Sequence, residues 1–233
     1  IKRAQMVDIL HRRLNYPSQG AMLKLLESNR INDCKLNRHD VCNYFEYIHG
    51  LTCRGCLFGK LNHYPAYANE PACLTGPGEV VLWDEFHVVV RKDGNVRKSV
   101  TSFALIKDGY SGYLNIFPIV ENTDGIMVVV KQLMGFYKEH NIAVQKLKWD
   151  RLPAHQSVLK DVASMGIQVE YAPAGRHVRE VEVEIKIVKR TFTATLCGLK
   201  YKLPVARYGE CLTWVVDSLN LTMTGKNSYL TPF

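Results

Sequence analysis

The chain has 233 residues, 47% hydrophobic and 22% charged, which suits one sizeable core with a small module beside it. No apolar run reaches the ~20 residues that span a bilayer, and the first residues, Ile1-Lys2-Arg3-Ala4-Gln5, lack the apolar stretch of a signal peptide. A net charge of +8 favours a polyanionic partner. Residues 1–62 carry ten Lys/Arg against five Asp/Glu, and the rest carry twenty against seventeen. The charge is therefore spread rather than blocked, and a solvated basic surface is the plain alternative. Seven cysteines, one pair spaced as Cys53-x-x-Cys56, argue for reduced thiols and one metal site rather than a disulfide framework. Beginning at Ile1 and stopping at Phe233, the chain reads as a piece of a longer polyprotein.

Residues 3–14 alternate apolar and charged at helical spacing, and Pro17-Ser18 breaks that run. Ala21 to Leu26 predicts a second helix and residues 39–49 a third, with Gly50 as its stop. The Cys53/Cys56 pair follows. Pro65, Pro71, Gly76, Pro77 and Gly78 then mark a linker. This gives a helical module at 1–62, a linker at 63–78 and a core at 79–233.

Strands are expected at 79–91, 99–107 and 112–120, punctuated by Gly94-Asn95 and Asp108-Gly109 in hairpin fashion. A helix at 124–140, a strand at 143–149, a helix at 155–165 ending at Gly166 and a strand at 167–171 come next. Helices at 178–197 and 204–221 close the order. The pattern βββ-α-β-α-β-α-α predicts an α/β fold, a mixed sheet flanked by helices.

Three carboxylates stand out. Asp84 lies inside the first strand and Asp150 ends the fourth. Glu182 falls in Arg179-Glu180-Val181-Glu182-Val183-Glu184, which alternates like an edge strand. A longer apolar stripe, Val178, Val181, Ile185, Val188, Phe192 and Leu196, favours a helix. On a helix Glu182, Lys186 and Lys189 share one face, as an ordinary salt-bridged surface also would. Glu180 and Glu184 remain alternatives for the third carboxylate. Carboxylates distant in sequence but able to converge suit magnesium, which takes few protein oxygens and leaves room for phosphate.

Several motifs in order carry a family resemblance. These are His11-Arg12-Arg13-Leu14-Asn15-Tyr16-Pro17-Ser18, Cys53-Arg54-Gly55-Cys56-Leu57-Phe58-Gly59-Lys60 and Asp108-Gly109-Tyr110-Ser111-Gly112-Tyr113. Gly175-Arg176-His177-Val178-Arg179-Glu180-Val181-Glu182 and the closing Leu219 to Phe233 complete the set. Together they resemble the integrase of copia-type LTR retrotransposons and, more distantly, retroviral integrase. Thirty-one residues separate Asp150 from Glu182, a spacing that resembles one branch of these elements.

The resemblance implies a ribonuclease H-like mixed-sheet core with helices on both faces, preceded by a small helical module with a zinc site. It implies Asp84, Asp150 and Glu182 as a catalytic triad on Mg2+ or Mn2+. By the same resemblance Lys186, Lys189, Arg190, Arg151 and His177 contact DNA. The implied reaction is 3′-end processing followed by strand transfer. Its partners are double-stranded element-end and target DNA and further copies of the chain, and its place is the nucleus after a cytoplasmic particle stage.

The chain departs from the family at Tyr16, which stands where a second zinc histidine is usual. His11, Cys53 and Cys56 supply three ligands, and His49, four residues before Cys53, is the fourth choice ahead of His39 and Cys42. The alternative is a module that folds without metal. Arg151 after Asp150 and Val183 after Glu182 also depart from the pattern. They leave open a host-adopted or decayed integrase that binds without cutting, and a ribonuclease H-like nuclease that cuts without joining. Trp83 and Trp149 read as core rather than as platforms for bases.

Overall fold

The computed structural model describes residues 2–28, 31, 34–49, 53, 55–56, 74–91, 98–120, 123–150, 153–172 and 178–222. Arg151, His177, Gly94-Asn95, most of the expected linker and the closing stretch beyond 222 lie outside the described residues. The contacts group the chain into two compact units: Ile1–Glu70 with Ile187–Thr231, and Pro71–Lys186 with Pro232–Phe233. The expected core at 79–233 is thus divided, its last two helices falling largely in the first unit.

The first unit opens with α1 (Lys2–Arg13), α2 (Gln19–Glu27) and α3 (Arg38–Tyr44). Local chemistry sets their starts. Ser18 caps α2 by accepting from Ala21 N–H at 3.2 Å. Asn37 and Asp40 form a reciprocal capping box on α3, at 2.9 and 3.0 Å. The third predicted helix is not uniform: after Tyr44 the chain widens into a π-helical turn, Phe45–His49. Val7, Met22, Val41 and Tyr44 form the small core of these helices. With one CH2 worth about 0.8 kcal/mol, so small a cluster gains much from any further cross-link.

The second unit holds a five-stranded sheet in the order β3-β2-β1-β4-β5. The strands are β1 (Val80–Arg91), β2 (Lys98–Asp108), β3 (Leu114–Ile119), β4 (Lys146–Trp149) and β5 (Gln168–Tyr171). The first three pair antiparallel, whereas β4 joins β1 and β5 joins β4 in parallel. Helices α4 (Thr123–Glu139) and α5 (Pro153–Ser164) make the crossovers that parallel pairing requires.

Alternation sorts each strand by face. Val81, Trp83, Ala104, Ile106, Leu147 and Trp149 point to one side, where Ile126, Val129, Val130, Leu133 and Tyr137 of α4 and Val158 and Val162 of α5 complete the main core. Trp83 and Trp149 meet edge-to-face at 5.9 Å and are fully buried, so they are core residues, as expected. The other face receives the start of α6 (Arg179–Gly198), the helix expected at 178–197. A short 3-10 turn, Val205–Arg207, leads into α7 (Tyr208–Thr222). The fold is therefore the expected mixed-sheet core with helices on both faces.

The turn from β2 to β3 is held by Asp108, which is 2% exposed. Its carboxylate accepts from Gly78 N–H at 2.7 Å, Tyr110 N–H at 3.1 Å, Ser111 N–H and Oγ–H at 2.7 and 2.8 Å, and Tyr137 O–H at 3.1 Å. This one side chain ties the approach to β1, the end of β2 and α4 together. Burial and the neighbouring Asp108 charge push the Tyr137 phenol well above its ordinary pKa. At the outer edge of the sheet, β3 carries the exposed Pro118, and the opposite edge, β5, is only four residues long.

Candidate active face and metal centre

The parallel register pairs Val80 with Lys146, Val81 with Leu147 and Leu82 with Lys148. Asp84 and Asp150 each lie two residues beyond the last pair, Asp84 still within β1 and Asp150 just past the end of β4. The even residues of β1 and β4 and the odd residues of β2 share one face, because side chains alternate. That face presents Leu82, Asp84, Leu105, Lys107, Lys148 and Asp150. Both aspartates are half-buried. Asp84 accepts the backbone N–H of Glu85 at 2.7 Å, which fixes one of its oxygens.

Helix α6 meets this same face. Lys107 is one same-face step from Asp84's partner Leu105, and its ammonium donates to Glu184 at 2.6 Å. Glu184 is buried, so its charge is spent on Lys107. Glu182 is half-buried and pairs with Lys186 at 2.8 Å. On an α-helix at ~100° per residue, Glu182 and Glu184 lie about 80° to either side of the buried Val181–Ile185 line. Glu180, one turn before Glu184, shares Glu184's side. Glu182 is therefore on the opposite flank of the helix from the Lys107 contact. Carboxylate oxygens are the ligand type that magnesium or manganese takes, but among the described residues Asp84, Asp150 and Glu182 are not gathered into a group close enough to share one ion, as the His/Cys set is. Of the expected DNA contacts, Lys189 is exposed and Lys186 and Arg190 are half-buried.

The structure brings the four candidate zinc residues together. The ligand atoms of His11, His49, Cys53 and Cys56 all lie within 4.8 Å of one another. His11 Nε2 is 3.3 Å from Cys56 Sγ and 3.5 Å from Cys53 Sγ. Zinc–nitrogen and zinc–sulfur bonds at tetrahedral angles put neighbouring ligand atoms roughly 3.3–3.8 Å apart, so these separations fit. The π-helical turn carries His49 into the cluster, and one turn on, Cys53 N–H donates to His49 C=O at 3.0 Å. Hydrogen bonds from Cys56 and then His11 outweigh burial and lower the Cys53 thiol to about 4, which favours the thiolate that a metal binds. His39 is exposed and bonded to Asn43, away from the cluster.

Tyr16 is in a different role. Its ring packs with Cys53 and Ala194. A Cβ added at Gly55 would sit 2.5 Å from the Tyr16 ring, and one added at Gly198 would collide with its hydroxyl. Burial raises the phenol's pKa, the Cys53 charge adding to it. Beside it, Asn15 accepts from Thr195 at 2.8 Å and donates to Trp214 C=O at 3.3 Å. Tyr16 thus seats the end of α1 against α6 within the first unit. Sequence reasoning saw only a missing histidine there; the paired glycines at 55 and 198 were the available signal.

Solved structures similar to this one include retroviral integrases. The chain matches the catalytic core domain of HTLV-2 integrase in complex with magnesium, in a trimeric form (TM-score 0.52, 16% identity, 67% of this chain and 95% of that one). It also matches the dimeric form (TM-score 0.50, 17% identity, 68% and 98%). A simian T-cell lymphotropic virus intasome in complex with PP2A regulatory subunit B56 gamma matches along more of the chain (TM-score 0.62, 13% identity, 99% and 70%). No protein-family profile and no curated protein matches it. At these identities the likeness shows the fold, a ribonuclease H-like mixed-sheet core, and the fold alone.

Proposed function

We propose that this chain is a retroelement integrase of the copia type, a polynucleotidyl transferase that trims element ends and joins them to target DNA. What supports the reading is that Asp84 lies in β1 and Asp150 directly follows β4, its parallel neighbour, while Glu182 sits in the first turn of the helix whose Glu184 is tied to Lys107 of β2. Magnesium or manganese held by Asp84, Asp150 and Glu182 would supply activation of the attacking oxygen and stabilisation of the leaving one. In this reading β1 supplies Asp84, the residue after β4 supplies Asp150, and α6 supplies the third carboxylate. Lys186, Lys189 and Arg190 follow on that helix and would grip DNA phosphates, making binding steeply salt-dependent. Arg151 and His177 join this set by motif. Zinc on His11, His49, Cys53 and Cys56 would brace the N-terminal helices. Joining two DNA ends calls for at least two copies of the chain, working in the nucleus after a cytoplasmic particle stage.

A strand-transfer assay with labelled element-end DNA, a plasmid target and Mg2+ or Mn2+ tests this. Joined products that vanish in Asp84→Asn, Asp150→Asn and Glu182→Gln support it. Cleavage without joining points to a nuclease. DNA binding that is indifferent to all three changes, with no product, points to a non-catalytic binding module and refutes the enzyme.

A further inference from the structure

We infer that Lys107 and Glu184 are a positioning pair that sets the rotation of α6, so that Glu182 and not a neighbouring glutamate faces the aspartates. The inference rests on the triad proposed above. Three glutamates alternate along this helix, and apolar packing of Val178, Val181 and Ile185 leaves the choice among them loose, since a slide or roll of the helix still buries aliphatic surface. A charge pair is less forgiving. Lys107 and Glu184 meet at 2.6 Å with side chains only 21% and 11% exposed. Rolling α6 by one residue, ~100°, would break that contact and strand both charges out of water. Lys107 is the next-to-last residue of β2, one same-face step from the residue opposite Asp84. The pin and the proposed metal ligand are therefore on opposite flanks of one helix, referenced to the same strands. Neither residue of the pair is among the proposed metal ligands; each acts through the helix.

The test uses the full chain and two double variants. Lys107→Met/Glu184→Met removes the charges while keeping apolar bulk. Lys107→Glu/Glu184→Lys exchanges them. Mn2+ uptake is read by quenching of Trp83 and Trp149 fluorescence, since each precedes one aspartate, with Glu182→Gln as the reference for a lost third ligand. Strand transfer is read alongside. The expected result is a Met/Met protein that melts cooperatively yet loses about 10–100-fold in Mn2+ affinity and in joining, as outer-shell changes at metal sites do. The exchanged pair recovers most of both. A folded Met/Met protein with wild-type Mn2+ affinity overturns the inference, and so does a wild type that takes up no Mn2+. Mn2+ binding that falls in Met/Met and returns in the exchanged pair, without joined products even from wild type, upholds the positioning role and sinks the integrase reading alone.

Discussion

Replacing Asp108 with alanine tests the energetic argument for the sheet most directly. Five donors converge on this carboxylate, and it is 2% exposed. Tyr110 N–H and both Ser111 donors lie at a partly exposed turn, where water replaces the lost acceptor cheaply. Gly78 N–H and Tyr137 O–H are buried and have no such recourse. A buried donor left unsatisfied costs about 1–3 kcal/mol, so these two alone give about 2–6 kcal/mol. A loss of about 4 kcal/mol would be a large part of the ~5–15 kcal/mol that holds a typical domain together. Urea unfolding followed by tryptophan fluorescence is the assay, because Trp83 and Trp149 are buried in this unit. Asp108→Asn retains one acceptor oxygen and should lose about half as much. A drop below about 1 kcal/mol for the alanine variant would refute the reasoning, and would mean that water reaches Gly78 and Tyr137 once the carboxylate is gone.

Other expectations concern the first unit and the proposed site. Gly198→Ala should destabilise by about 1–3 kcal/mol through its collision with the Tyr16 hydroxyl, although the same change at an open helix position stabilises by up to ~1 kcal/mol. Tyr16→Phe added to it should restore part of the loss in thermal unfolding; no restoration would place the clash elsewhere. Purified protein should hold one zinc per chain by elemental analysis, His49→Ala should release it, and His39→Ala should not. Equal retention in both variants would remove His49 from the site. Salt should weaken DNA binding with a slope of log Kd against log salt that falls by about one unit when Lys189 becomes alanine; an unchanged slope would take Lys189 off the phosphates.

The strands were readable because their signal is local. In β4, Leu147 and Trp149 alternate with half-buried lysines, and Asp150 falls at the lysines' parity; β1 is apolar at both parities, with Leu82 and Phe86 buried as well as Val81 and Trp83, and was readable from its run of strand-forming residues. Helix α6 was readable for a similar reason: the stripe from Val178 to Leu196 is too long for a strand. His49 was readable as a ligand because spacing alone brings it one helical turn before Cys53. The π-helical turn that delivers it was not, since Phe45–His49 has no sequence signal separating it from an ordinary helix. Lys107–Glu184 was out of reach as well. Seventy-seven residues separate the two, and nothing near either one announces the other. The tie between Tyr16 and the glycines at 55 and 198 also depends on elements that meet only after folding. The division of the chain at Lys186 was hidden because α6 runs through it without a break.

The two ends of the sheet bear on how copies of this chain behave when crowded. An outer strand with open backbone groups invites a strand from the next molecule to dock, and that is a common start of irreversible clumping. Here one border strand carries Pro118, which has no N–H to offer a newcomer. The other spans four residues, too few for a firm ladder, and its Glu170 is drawn toward Lys146 and Lys148. The assembly proposed above, several copies of the chain around DNA, gains from borders like these. They leave reversible contacts between folded surfaces as the favoured way for its copies to meet.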